Sequence, residues 1–533
     1  MLILGFKPGH DGSVAAIKDR VLLHSLEAEK DSGMRHEQLD PSTLLSLFER
    51  LDAIPDVIAF GGWHRDHRLG DTRVGMGYPG VDEYEQRSMS FMGKEVQLFS
   101  SSHERSHLLM SVGMAPRDDF SERAVLIWEG GVGSFHMLDD RFRVTAQVPV
   151  MSWPGWRYAL LFSIADPTFP PDVPVPRHED SGKLMALAAF GDPRDADGDV
   201  VALVDRIVES GSRPLPKRAF QDSPLYNCGV EADATKVGAA LLTERIFRRF
   251  ADVARHHLPQ GVPLHISGGC GLNCDWNRMW RDLGHFSSVF VPPCTNDSGS
   301  ALGTALDALG VMTEDPYIDW SVYCGLEFDW DREPDPGTWA QRRLDMGQAA
   351  DALAEGRIFA WVQGRYEMGP RALGNRSLLA EPFQAATRDR LNEIKQREGY
   401  RPIAPCCRVE DLAKAFDTTF EDPYMLYFRM VASPRLQAVT HVDGSARCQT
   451  VSREDNEPLH ELLSEFAARS GLGVLCNTSL NFKGLGFINR MSDLAKYCED
   501  HGVDDMVVGD RWFQRRGEAA AQEVVATVAP GSG

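Results

Sequence analysis

Pro263-Leu264-His265-Ile266-Ser267-Gly268-Gly269-Cys270-Gly271-Leu272-Asn273 is the stretch on which the reading of this chain turns. Its first five residues read as a strand, the glycines as a turn, and the chain beyond Asn273 as a helix through Trp280. Glycines let backbone approach a ligand, and a helix N-terminus faces negative charge, so the arrangement is one that binds nucleotides. The next segment repeats the plan: strand Val289-Phe290-Val291, the turn Pro292 to Ser300, and a helix from Ala301 to about Leu309 with Gly310 as its stop. Asp297 stands at the start of that helix, either as its N-cap or as a ligand. Upstream, the strand Ala124–Trp128 runs into Glu129-Gly130-Gly131, and open α/β sheets gather ligands at such strand ends.

Further upstream, Ser102-His103-Glu104-Arg105-Ser106-His107 places two histidines four residues apart, behind a good N-cap. On a helix both rings reach one metal ion, although a surface helix carrying two histidines reads the same way. The stretch also spells H-E-x-x-H, the zinc-protease pattern with Glu104 as base. The N-terminus reads as a hairpin, Leu2–Phe6 and Val14–Ile17 around the tip Lys7-Pro8-Gly9-His10-Asp11-Gly12-Ser13. Lys183 lies near the start of a short apolar helix, where it either snorkels or reaches a ligand. Residues 236–258 read as a long amphipathic helix.

The 533 residues exceed one core, so two or three domains are expected. A net charge of −21 argues against a nucleic-acid-coating surface. No apolar run reaches the length of a membrane span, and the N-terminus reads as a strand with no signal peptide, so a cytoplasmic protein is expected. The ten cysteines contain no C-x-x-C pair, consistent with reduced thiols. The oligomeric state is open.

Residues 329–337, polar and rich in Pro and Gly, read as a linker. Beyond it, Ile358–Val362 leads into a loop from Gly364 to Ser377 in which Arg365, Arg371 and Arg376 alternate with glycines. Residues 361–410 hold nine Lys/Arg against six Asp/Glu, including Lys395 and Arg397. A basic bias with interleaved glycine suits a multiply charged anion such as a phosphate or triphosphate. The strand 473–476 then runs into Asn477-Thr478-Ser479-Leu480-Asn481, whose polar side chains can line a ligand site. No internal sequence repeat is evident, and residues from about 517 read as a disordered tail.

Taken in order, these blocks resemble the NodU/CmcH-type O-carbamoyltransferase family. They are His10-Asp11, His103 with His107, Ser267-Gly268-Gly269 with Leu272-Asn273, Asp297 to Gly303, Gly364 to Ser377, Lys395 with Arg397, Tyr400 to Pro405, and Asn477 to Asn481. The resemblance implies an α/β protein of two domains. Residues 1–335 would form an ASKHA-type domain, similar to tRNA threonylcarbamoyl transferases, and residues 340–516 a YrdC-like domain. It implies that the second domain makes carbamoyl adenylate from carbamoyl phosphate and ATP with Mg2+, and that the first moves the carbamoyl group to a small-molecule alcohol, with no nucleic acid or membrane partner. Carried over, the metal ligands would be His103, His107, Asp297 and Glu129, a position where the family more often has Asp. The metal is iron in relatives, but imidazole and carboxylate suit Fe(II) and Zn alike. His10 becomes the candidate general base with Asp11 beside it; Gly12, Lys183, Ser267, Gly268, Gly269 and Asn273 would grip the nucleotide. Arg365, Arg371, Arg376, Ser377, Lys395, Arg397, Asn477, Thr478, Ser479 and Asn481 would hold carbamoyl phosphate and ATP. The Leu4–Gly12 opening is most like members acting on hydroxymethylcephems, which implies a cephem 3'-hydroxymethyl group as acceptor; other natural-product or sugar hydroxyls are the alternative. A zinc protease leaves the Arg/Gly loop unexplained, a tRNA-modifying relative sits poorly with the net charge, and a non-catalytic nucleotide sensor has no use for two histidines at metal spacing.

Overall fold

Leu264–Ser267 is a central strand of a five-stranded sheet, parallel to Arg123–Trp128 on one side and Val289–Phe290 on the other. All four of its residues are buried, as expected for a strand covered on both faces. A computed structural model describes residues 1–62, 67–211, 213 and 215–516; the tail expected from 517 lies outside the described residues.

Two sheets in the first half share one plan. In the first, Leu2–Lys7, Ser13–Lys18 and Val21–Glu27 form an antiparallel meander, and Val57–Gly62 and Lys94–Ser102 add in parallel beside Leu2–Lys7. In the second, Arg123–Trp128, Gly133–Leu138 and Val144–Pro149 form the meander, and Leu264–Ser267 and Val289–Phe290 add in parallel. The spatial order of third, second and first meander strand followed by the two parallel strands therefore occurs twice, with Tyr84–Phe91 as an added antiparallel edge strand in the first sheet, and this duplicated module is the ASKHA-type fold. The sequence shows no repeat because the strand order is duplicated and the side chains are not.

The helices His103–Gly113 and Ser300–Thr313 pack closely on each other between these two sheets. A Cβ on Gly303 would lie 2.0 Å from the Ser106 carbonyl oxygen, so only glycine permits the crossing, and the Ser106 and Thr304 hydroxyls bond across it at 2.7 Å. The expected helix at 236–258 spans Asp233–His257 and covers the second sheet, where Trp128 stacks on Trp276 with ring centroids 4.5 Å apart.

The second half is one eight-stranded mixed sheet running from Trp339–Arg343 at one edge to Gln449–Val451 at the other. Between the two halves the chain is pinned to both. Asp319 bridges to Val21, Glu327 to Arg365, and Asp329 to Arg490, so the polar stretch read as a linker is tied down at its start. Lys30 is buried in the junction, and its ammonium meets Glu27 at 2.8 Å and the carbonyls of Glu367 and Gly369. A charge is tolerated there because it is fully bonded. The Arg365 guanidinium is also part of this junction, donating to the carbonyls of Leu23, Cys324 and Gly325 and to His24 Nδ1. No helix among the described residues is long and apolar enough to cross a membrane.

Candidate active site

Four side chains from three separate segments meet in the first half. Ser102 accepts from the Arg105 amide and starts the helix, which puts His103 and His107 one turn apart on one face. Their Nε2 atoms lie 3.1 Å apart. Glu129, at the end of its strand, brings Oε2 to 3.3 Å from His103 and 3.2 Å from His107. Asp297 caps no helix among the described residues and brings Oδ1 to 3.3 Å from His107 and 3.6 Å from His103.

All four donor atoms lie within 4.8 Å of one another, and these five separations match edges of a tetrahedron. A regular one of that size has its centre about 2.0 Å from each corner, the bond length of a metal ion to imidazole and carboxylate. The Nδ1–H of His107 bonds Ser267 Oγ at 2.8 Å, which directs Nε2 inward as a ligand must be. Electrostatics agree. Burial alone would raise the Glu129 carboxyl, but His107 and His103 hold it down to about 2. Burial alone would lower His107, yet Glu129 and Asp297 lift it to about 9. Asp297 is held well below the usual carboxylate range, against burial, by Lys7 and His103. Both carboxylates stay ionised around one point, so the site suits a cation.

Glu104 faces elsewhere. Its carboxylate accepts from His136 and Gln147, each at 3.0 Å, and from the Gly80 amide at 2.8 Å. It is a buried brace under the helix, and the protease reading fails on this geometry. Two residues that the sequence did not single out complete the surroundings. Tyr78 donates to Glu129 Oε1 and stacks on His103, and burial with Glu129 beside it keeps the phenol well above its usual pKa. Lys7, 1% exposed, lies 3.3 Å from Asp297 Oδ2 and donates to the His10 carbonyl. His10 stands 3.7 Å from that same oxygen, and its Nδ1 bonds Asp11 at 2.7 Å. His10 and Asp11 thus adjoin the four-donor pocket.

The expected nucleotide residues divide. Gly268, at φ 101°, lets the turn pass over Trp128 and Glu129, where a Cβ would come within 2.8 Å of the Glu129 side chain. Gly269 is exposed with open space beside it, and Asn273 caps the following helix while its amide nitrogen stays buried without a partner. Gly12 packs on the backbone of Gln38 and Leu39, and Lys183 bonds Asp180 at 2.9 Å.

In the second half, Arg371, Lys395 and Arg397 converge. They are joined by Arg401 and Arg447, and Arg35 from the first half comes close enough for its charge to be felt at Lys395 and Arg401. Burial, and then the neighbouring guanidiniums, push Arg371 and Arg397 down to about 9 and Lys395 well below its ordinary value. Arg371 reaches across to the Leu272 carbonyl at 3.0 Å, and its buried Nε has no protein partner; nor has that of Arg447. Lys395 donates to the carbonyls of Ser479 and Asn481, and Ser479 Oγ bonds Asn481 at 2.6 Å. Ser377 pairs across the sheet with Ser479, and Leu378 with Thr478; Asn477 is buried and bonds Gln449 at 2.9 Å. Arg376 is fully buried, donating to the carbonyls of Gln363, Gly364 and Asn375 and to Asn489. It and Arg365 are bound to protein acceptors. Cations packed this tightly repel unless an anion lies among them.

The family descriptions agree with this division. Residues 96–306 match the carbamoyltransferase N-terminus and residues 350–515 the carbamoyltransferase C-terminus. A 3'-hydroxymethylcephem-O-carbamoyltransferase of Amycolatopsis lactamdurans is 62% identical over 97% of this chain and 99% of its own, and one of Streptomyces clavuligerus is 60% identical over the same shares. Nodulation protein U of Sinorhizobium fredii is 30% identical, over 94% of this chain and 96% of its own. Such identity along nearly the whole length, with both family descriptions matched in order, leaves no other assignment: the chain belongs to the carbamoyltransferase family.

Proposed function

We propose that this protein is an ATP-dependent O-carbamoyltransferase that modifies the 3'-hydroxymethyl group of a cephem. The observation that carries the reading is the pairing, in one chain, of a four-donor pocket with a buried cluster of cations. The relatives from Amycolatopsis and Streptomyces supply the acceptor. In the second half, which we take as a YrdC-like domain over residues 340–516, Arg371, Lys395, Arg397, Arg401 and Arg447 neutralise carbamoyl phosphate and the ATP phosphates. Those anions would otherwise repel one another as carbamoyl adenylate forms and phosphate and pyrophosphate leave. Ser377, Thr478, Ser479, Asn477 and Asn481 present hydrogen-bonding groups beside them, while Arg365 and Arg376 hold the loop in shape. The adenylate then lies along Gly268–Asn273 in the ASKHA-type domain over residues 1–335. His103, His107, Glu129 and Asp297 would hold a divalent ion, Fe(II) or Zn, whose chemistry there is Lewis-acid stabilisation of charge on the phosphate and carbamoyl oxygens. His10, oriented by Asp11, takes the proton from the acceptor hydroxyl, and AMP leaves. The free cysteines fit a cytoplasmic site of action.

Mass spectrometry of the protein with ATP, Mg2+, carbamoyl phosphate and a 3'-hydroxymethylcephem should show one carbamoyl group added to the cephem. A cephem lacking that hydroxyl should stay unmodified; equal modification of both would reject the acceptor.

A further inference from the structure

Asp11 divides its carboxylate between two histidines. Oδ2 accepts from His10 Nδ1 at 2.7 Å and Oδ1 from His36 Nδ1 at 2.8 Å. The bonds at Nδ1 leave each Nε2 to face away from Asp11. A third imidazole, His178, stands 5.5 Å from the His36 ring and 6.2 Å from His10. The side chains of His10 and His36 are 41% and 39% exposed, while Asp11 beneath them is buried, so the three rings rim an opening beside Asp297.

The rim is built rigidly. Asp11 and His36 both hold the left-handed backbone region, at φ 51° and 56°, a strain that persists only where surrounding contacts enforce it. His178 ends a segment with five prolines between 167 and 176, tied down by Lys217 to the Asp166 and Phe169 carbonyls, by Arg218 to the Pro171 carbonyl, and by Arg177 to Asp166. Proline fixes its own backbone, so little freedom is lost when a ligand docks against such a loop.

Resting on the acceptor reading above, we infer that His36 and His178 form a subsite for a carboxylate carried by the acceptor alcohol, with the hydroxyl seated next to His10. A cephem bears its hydroxymethyl group and its carboxylate on neighbouring ring carbons, so the two groups lie a few ångströms apart, the reach from His10 to His36 across Asp11. The hydrogen bond to Asp11 raises His36 from its ordinary value against burial, which favours the charged ring beside an anion. His178, lowered by burial and by the neighbouring imidazoles, offers a ring N–H as a second donor. A site that discards this pairing would leave its donors unmatched, so charge on the acceptor should decide selectivity.

The test compares a 3'-hydroxymethylcephem acid with its methyl ester, with carbamoyl adenylate formation followed in the same reactions. Wild-type protein should lose tenfold or more in kcat/KM on the ester. His178→Gln, on a surface loop, should lose tenfold on the acid through KM and change little on the ester; His36→Gln, which also loosens Asp11, should lose at least tenfold more on the acid than on the ester. Equal use of acid and ester by the wild type, or equal losses on both compounds by the variants, would overturn the subsite. Adenylate formation with no transfer to either compound would overturn the acceptor reading itself.

Discussion

His107 shows how one residue can be read correctly in part. Its spacing from His103 placed both rings on one face, and Glu129 and Asp297 were legible as carboxylates at strand ends. Tyr78 and Lys7 were not, because each reaches the site from a turn or strand with no local pattern of its own. Arg447 and Arg35 were missed for the same reason: single cations in loops acquire meaning only when the fold gathers them. The reverse holds for Arg365 and Arg376, which belong to the arginine-glycine motif yet bind backbone carbonyls, a distinction that spacing does not carry. Arg371 is the sharpest test at this scale, since its buried Nε lacks a protein partner. Arg371→Ala should slow ATP–pyrophosphate exchange with carbamoyl phosphate by a hundredfold or more, about 2.7 kcal/mol of lost stabilisation. Exchange at the wild-type rate would remove it from the anion site.

At the scale of elements, the crossing of His103–Gly113 with Ser300–Thr313 brings the histidine pair toward Asp297. Gly303→Ala forces a methyl against the Ser106 carbonyl and should cost about 1–3 kcal/mol by overpacking, measured by urea unfolding. A cost near zero would mean that the helices separate freely. The junction between the halves makes a second prediction. His24 accepts from Arg365 at 2.7 Å, and burial together with that guanidinium lowers its pKa to about 4. The unfolded chain binds its proton near 6.5, so between 6.5 and 4 the unfolded state holds more protons and stability falls as pH falls. Replacing His24 by Gln should flatten the pH dependence of the urea midpoint in that window, by an amount on the order of 1 kcal/mol after solvent screening. An unchanged slope would place the acid sensitivity elsewhere, for example at buried His265, also lowered to about 4 by burial.

For the whole molecule, the α/β class was legible from strand–turn–helix order, whereas the duplication within the first half was not, since it is written in strand order alone. The two halves present different side chains, a cluster of buried cations in one and four imidazole and carboxylate donors in the other, joined by a buried network at Lys30 and Arg365. Separable half-reactions are the central claim. The most direct measurement follows both products in His107→Ala supplied with ATP, Mg2+, carbamoyl phosphate and a 3'-hydroxymethylcephem. Carbamoyl adenylate should form at close to the wild-type rate and carbamoylated cephem should fall at least a hundredfold; undiminished carbamoylated cephem, or loss of the adenylate as well, would contradict the account.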